Sequence, residues 1–391
     1  MWTERFTERK SGRLEPIGDG LLAFVPNPLP PQLDWTDELV ARLGDAREAL
    51  ARLEEASGGL GADLVSGLTS AFSGREAVLS SRIEGTVASV GEVLLFREDA
   101  AAREQRSARR EVWNHWRALR DGLKRMDQPG APPLSKRLLQ ELHATLLSGV
   151  RGRDRTPGEF RKLQNHIGAP GSTIDEASFV PPPPPEMISA LNELELYLHT
   201  PSPLHTLVRA ALVHYQFEAI HPFSDGNGRI GRLLIPLLLH NDRVLTRPLL
   251  YLSAYFERTR EEYCRRLFEV SSEGRWLEWL VYFLKGVAGQ ARDALRRCQR
   301  LIELLDRYKE TVEKPGRSAL AVKLVEHLFE EPYLTIGEAA GALEIGFASA
   351  TRLVMQLVGA GVLMEVTGQR RNRIFGAEEI VRLIEAELPE E

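Results

Sequence analysis

Twelve consecutive residues, His221-Pro222-Phe223-Ser224-Asp225-Gly226-Asn227-Gly228-Arg229-Ile230-Gly231-Arg232, combine a titratable base, a carboxylate, three glycines, an amide and two arginines. Gly226 and Gly228 allow positive φ and let a ligand approach the backbone without a Cβ in the way. The run ends at the start of an apolar, helix-like segment, and a helix N-terminus favours anions through its free N–H groups and dipole. Asp225 is a hard oxygen ligand suited to Mg²⁺ on phosphates. Arg229 and Arg232 are three apart, on one helix face, and guanidinium forks take phosphate oxygens bidentately. His221 has an ordinary pKa of about 6.5, so its neutral form can accept a proton. A base, a metal ligand and an anion cradle together point to transfer of a phosphorus-containing group from a nucleotide.

The same residues satisfy G-x-G-x-x-G, but a dinucleotide fingerprint needs a preceding strand and an acidic residue about 20 positions on. Here a helical pattern precedes the run, and position 248 is Pro. A plain turn needs glycines but not the His, Asp and two Arg beside them.

The run resembles the signature of the Fic/Doc family, His-Pro-Phe-x-[Asp/Glu]-Gly-Asn-Gly-Arg-x-x-Arg, at every specified position. That resemblance implies an AMP transferase using ATP and Mg²⁺, with His221 as catalytic base. Phe223, Asp225, Gly226, Asn227, Gly228, Arg229 and Arg232 would bind nucleotide, and Asp225 would hold the metal. Gly228 keeps the small residue of the AMP-transferring branch; a bulkier one marks the phosphate-transferring Doc-like branch. Further upstream, Ser80-x-x-x-Glu84-Gly85 reads from spacing alone as a helix end with a C-terminal glycine. It also matches the family's inhibitory pattern. The resemblance implies that Glu84 reaches Arg232 and takes the place of the γ-phosphate. Gln164-Asn165-His166-Ile167, with Ser178-Phe179-Val180 across the Pro170-Gly171 turn, reads as a hairpin. It matches the family's flap, which receives a target segment as an added strand. His166 is read as a flap surface residue and His143 as structural.

The elements that must position these residues are helical. The chain has 391 residues, 43% apolar and 27% charged, with a net charge of −5. This is the composition of a globular protein of two or three domains, without a global basic field for nucleic acid or membrane. Cys264 and Cys298 follow no metal spacing. No signal peptide or membrane span is visible, so a cytoplasmic location is expected. Helical spacing predicts segments from Trp35 to about Glu55, Leu64 to Leu79, Arg106 to Met126, Leu134 to Leu147, Met187 to Leu198, Leu207 to Ile220, and onward from Ile230, with Pro236 expected to kink or shorten that last helix. Residues 1 to about 34 read as an irregular, proline-rich arm. Pro181 to Pro185 reads as a rigid connector. Tyr251, Tyr255 and Tyr263 are expected near the nucleotide side of the pocket. Trp276, Trp279, Tyr282 and Phe283 read as core or as the interface of a homodimer.

The resulting division is an N-terminal arm and helix (1–60), a mainly α Fic core with a short β-hairpin flap (61–285), a helical connector (286–317) and a C-terminal unit (318–391). The last shows three helical stretches, with Thr335 capping the second, then a strand and a hairpin tip at Thr367 to Phe375. It resembles a winged helix-turn-helix, with Arg352, Arg370, Arg371 and Arg373 as phosphate contacts. Its six basic and twelve acidic residues argue against strong duplex binding, so a structural, dimerising or partner-recruiting role is favoured over DNA.

The leading reading is transfer of AMP from ATP to a Tyr, Thr or Ser hydroxyl of a target protein or of the enzyme itself, held off by Glu84. Two alternatives stand beside it: removal of AMP, with Glu84 positioning a water, and a DNA-binding regulator in which the core senses nucleotide.

Overall fold

The computed structural model describes residues 2–6, 11–58, 62–98, 108–128, 130, 134–150, 155–169, 171–313, 319–369 and 371–386. The centre is a pair of consecutive helices, α7 (Thr206–Ile220) and α8 (Asn227–Asn241). Both are buried on nearly every side, which is why their sequences are apolar without a polar stripe. Pro236 lies inside α8, yet the helix runs on through it to Asn241, so it is not shortened.

Around this pair pack α2 (Ala62–Ile83), α4 (Ala108–Met126), α5 (Lys136–Leu146), α6 (Pro184–His199) and α10 (Arg260–Glu273). The periodicity expectations hold for α2, α4, α5 and α6, although α2 continues through Ser80 to Ile83. Pro184 and Pro185 are not connector but the first turn of α6, where a proline's missing N–H costs nothing. A short helix, α3 (Val90–Glu98), has no counterpart in the sequence reading; nine residues are too few to set a period.

Two expectations fail. Residues 1 to about 34 are not all irregular: β1 (Gly12–Pro16) and β2 (Leu22–Pro26) pair antiparallel with Gly12 opposite Pro26. Gly18, Asp19 and Gly20 all have positive φ in the turn that joins them. Pro26 is tolerated because it ends its strand. The hairpin docks by the Phe24 N–H on the Val180 carbonyl (2.9 Å). The connector is also not a separate piece. α11 runs unbroken from Trp276 to Val312, so the boundary at 285/286 falls inside a helix. At 1.5 Å per residue it spans roughly 55 Å, and it lies along α1 (Asp37–Gly58) through Leu39, Ala46, Leu50 and Leu53. Trp276, Trp279, Tyr282 and Phe283 are core residues on it.

The C-terminal segment holds α12 (Ala319–Glu330), β3 (Tyr333–Thr335), α13 (Ile336–Ala342), α14 (Phe347–Gly359), β4 (Met364–Glu365), β5 (Ile374–Gly376) and α15 (Glu378–Glu385). The strands form an antiparallel sheet ordered β3-β5-β4. Thr335 and Glu338 close a capping box at α13. This segment is docked, not dangling: α12 lies on α2 so closely that a Cβ on Gly67 would stand 2.3 Å from the Phe329 carbonyl oxygen. Arg297 of α11 also caps the end of α15 through the Leu383 (2.8 Å) and Ile384 (3.0 Å) carbonyls. Among the described residues no helix is long and apolar enough to cross a membrane.

Candidate active site

The loop between α7 and α8 is held by its own side chains. His221 ends α7 in the left-handed region (φ 49, ψ 59), which costs a non-glycine residue roughly 1–2 kcal/mol. Arg161 stabilises that turn. Its buried guanidinium donates to the His221 carbonyl (2.9 Å) and to the Pro182 carbonyl. Its backbone N–H donates to the Pro222 carbonyl (2.9 Å). Asn227 closes the loop on itself: Oδ1 accepts the Phe223 N–H (2.8 Å) and Nδ2 donates to the Phe223 carbonyl (2.7 Å).

The Asn227 amide thereby shapes the cradle. Phe223 is fully buried and stacks on His143 with centroids 3.8 Å apart, which makes it a core anchor. His143 is structural, as expected. Nδ1 accepts the Gly158 N–H (2.9 Å), so Nε2 carries the proton and donates to the Asp225 carbonyl (2.9 Å). Burial pushes its pKa down to about 4.

The half-buried His221 ring is oriented the same way. Nδ1 lies 3.3 Å from the Glu218 carbonyl, which can only accept, so Nδ1 is protonated and Nε2 keeps a free lone pair. Burial lowers its pKa to about 4, with Arg161 adding to the effect and the carboxylates of Glu84 and Asp225 opposing it. The ring is therefore neutral at pH 7. Beyond it, Gly226 is the left-handed N-cap of α8 (φ 77). The first turn of α8 presents N–H groups that no helical carbonyl can take. Asp225 accepts the Gly226 N–H (2.6 Å) and lies 3.6 Å from Arg229, with its side chain 39% exposed.

Arg229 is 4% exposed, and its Nε and one terminal nitrogen are buried without a hydrogen-bond partner. The Glu111 carboxylate stands 4.0 Å away but accepts instead from Thr86 (2.7 Å). Arg232, 2% exposed, is the opposite case. It donates to Ser80 Oγ (2.8 Å), the Ser80 carbonyl (2.9 Å) and Glu84 Oε1 (2.7 Å). Burial disfavours ionisation of Glu84, but Arg232 outweighs it, with Arg229 and His221 behind, and holds the carboxyl below its usual range. The contact is possible because position 228 is glycine: a Cβ there would stand 2.3 Å from Glu84 Oε1. Gly85 ends the α2 segment with φ 86.

The flap residues also assemble here. Ile167 and Phe179 form a single antiparallel bridge, less than the hairpin expected; Pro170 lies outside the described residues. Asn165 donates to the Phe223 carbonyl (3.0 Å) and Gln164 to the Pro181 carbonyl (2.9 Å), tying the flap to the loop. His166 bonds the Ser172 carbonyl within the flap (2.8 Å). Leu163 is 80% exposed and Ile167 36% exposed beside the bridge.

Residues that the sequence reading passed over also shape the site. Arg161 is one. Glu218 is another: burial raises its pKa to about 7, and Oε1 is buried without a partner, 2.2 Å from where a Cβ on Gly231 would stand. Only its place one turn before His221 hints at this. The buried Tyr263 hydroxyl bonds His214 (2.8 Å), which in turn donates to the Gly231 carbonyl (2.9 Å). Tyr251 and Tyr255 are likewise buried. Among the described residues no group of three or more acidic, His or Cys side chains could hold a metal.

Residues 133–239 match the family model described as Fic/DOC family, and residues 40–124 match Fic/DOC family N-terminal. Proteins named protein adenylyltransferase Fic from Aedes aegypti and Drosophila yakuba are each 39% identical over 101 residues, 25% of this chain and 18% of theirs. The chain therefore aligns with less than a fifth of the length of these relatives. Among solved structures, a Fic family protein from Desulfovibrio desulfuricans G20 superposes with TM-score 0.57 at 18% identity, covering 89% of this chain and 98% of that one. A Fic-domain signalling protein from Bacteroides thetaiotaomicron gives 0.54 at 19% identity over 66% of this chain and 97% of that one. C. elegans Fic-1 gives 0.51 at 20% identity over 68% and 74%. With the complete signature loop at the head of α8, residues 133–239 match the Fic/DOC family model, and the solved Fic proteins share the fold around that loop.

Proposed function

We propose that the protein transfers AMP from ATP to a hydroxyl side chain of a protein, itself included, and that Glu84 restrains the reaction. The observation that carries this reading is Arg229: a buried guanidinium with unpartnered N–H groups, beside a helix N-terminus, asks for an anion. In the reaction His221 Nε2 takes the proton of the attacking hydroxyl. The oxygen bonds to the α-phosphorus and pyrophosphate leaves. General base catalysis contributes typically ~10²–10⁴ in rate. The α8 N-terminus and Arg229 stabilise phosphate charge. Asp225 fits Mg²⁺, which commonly takes one or two carboxylates, phosphates and water, and the ion would neutralise charge on the leaving group. The 38%-exposed Glu84 carboxylate occupies Arg232, which supports the view that it excludes the γ-phosphate from that guanidinium.

The flap bridge and the exposed Leu163 beside it support a role in receiving a target segment as an added strand. The helix and strand order of residues 319–386 supports the winged-helix reading. Its exposed Phe347, Met355 and Met364 favour a protein partner over DNA. The test is incubation of the full chain with ATP labelled at the α or the γ position. α-Label on protein, lost in His221→Ala, is the expected result. γ-Label would mean phosphate transfer, and no label in any variant would reject the activity.

A further inference from the structure

A second charged site shares α2 with the signature loop. A cleft of about 800 Å³ opens between α1, α2, α9 (Ser253–Arg258), α11 and the end of α15, and no residue of the signature loop lines it. Small-molecule pockets typically run ~300–1,000 Å³. Eight cationic and five acidic side chains line this one.

The acids are already spoken for. Asp45 pairs with Arg292, Glu257 faces Arg82 at 3.8 Å, and Glu385 accepts the Gly91 N–H (3.1 Å). Glu262 bonds Arg265 and Arg266, which are not among the lining residues. Asp293 is then shared by three guanidinium groups: Arg297 at 2.8 Å, Arg75 at 3.5 Å and Arg296 at 3.9 Å. The Arg296 Nε is buried with no hydrogen-bond partner. Arg42 and Lys285, both exposed at the cleft, make no ion pair among the described residues. Arg42, Lys285 and the unpartnered Nε of Arg296 leave positive charge uncompensated at the cleft, and forked N–H groups suit phosphate oxygens.

We propose that this cleft binds a multiply charged phosphorylated small molecule, independently of nucleotide at the signature loop. Arg75 and Arg82 bring the α2 helix into the site, and Arg82 lies two residues before Glu84. A bound anion would thus bear on the helix that holds Arg232. That consequence rests on the inhibitory reading of Glu84; the binding itself does not.

Calorimetric titration of the full chain with sodium tripolyphosphate at low salt tests it. The comparison is wild type, Arg42→Gln/Lys285→Gln, Arg296→Gln and Arg229→Gln. Both exposed cations in the double variant can be neutralised without touching the core, so its folding is not at issue. Weakening of about tenfold or more in the double variant and in Arg296→Gln, with the isotherm retained in Arg229→Gln, is expected. Unchanged affinity in the double variant, or loss in Arg229→Gln alone, overturns the proposal. Neither outcome touches AMP transfer, which stands or falls on the His221→Ala labelling.

Discussion

Replacing Glu84 by glycine should release the signature loop. The carboxylate bonds Arg232 at 2.7 Å, and the guanidinium is 2% exposed while the carboxylate side chain is 38% exposed. Two unit charges at about 4 Å interact by about 4 kcal/mol at an effective dielectric of 20. Exposure of Glu84 to water reduces that figure, as surface pairs show. A hydrogen bond to a charged group, net of solvation, contributes about 1.5–3 kcal/mol. At about 1.4 kcal/mol per decade, a γ-phosphate that no longer has to displace Glu84 gains roughly ten- to a hundredfold. Ser80 Oγ and its carbonyl still accept from Arg232, so the guanidinium stays in place to receive it. Initial rates of α-label incorporation from ATP, read at ATP well below saturation, should rise by that factor in Glu84→Gly and vanish in Glu84→Gly/His221→Ala. A Glu84→Gly protein that is folded but labels at the wild-type rate would refute the restraint.

Three further outcomes follow from the same geometry. A methyl at position 228 would meet Glu84 Oε1 at 2.3 Å, so Gly228→Ala should cost about 1–3 kcal/mol in wild type and far less in Glu84→Gly; equal losses by urea unfolding in both backgrounds would exclude that contact. His143 has a folded pKa of about 4, below its ordinary 6.5, so the unfolded chain binds the proton first and stability is lost as pH falls from about 6.5 to about 4, by up to about 3 kcal/mol. His143→Gln should flatten that part of the pH dependence. Glu218, raised to about 7, acts in the opposite sense in both proteins, so parallel wild-type and variant curves would count against His143 alone. The C-terminal segment, with net acidic charge and exposed Phe347 and Met355 on α14, should leave random duplex DNA unshifted at physiological salt in a gel assay; a shift that weakens steeply with salt would reverse that view.

Much of this site could be read from the chain alone, because its chemistry is local. The loop from His221 to Arg232 packs its residues into adjacent positions, and the glycines and helix start that shape it are neighbours in sequence. The long helices were legible too, since an apolar period needs only eleven or more residues to emerge. What lay beyond reach were contacts between distant positions. That Glu84 meets Arg232 across 148 residues was suggested by resemblance, and only the packing of α2 against α8 places the two side chains 2.7 Å apart. Residue type does not say whether a polar or aromatic group faces a ligand or the loop's own backbone, so the burial of Phe223 and the Asn227 bonds to the Phe223 backbone came only from the fold. Arg161, Glu218 and the Arg75–Asp293–Arg297 cluster carry no motif. Burial gives them meaning, by removing water from charges and leaving each to find a partner. Composition and period set which segments become helices; the tertiary fold decides which charges share a dry space, and hence what the signature loop is free to bind.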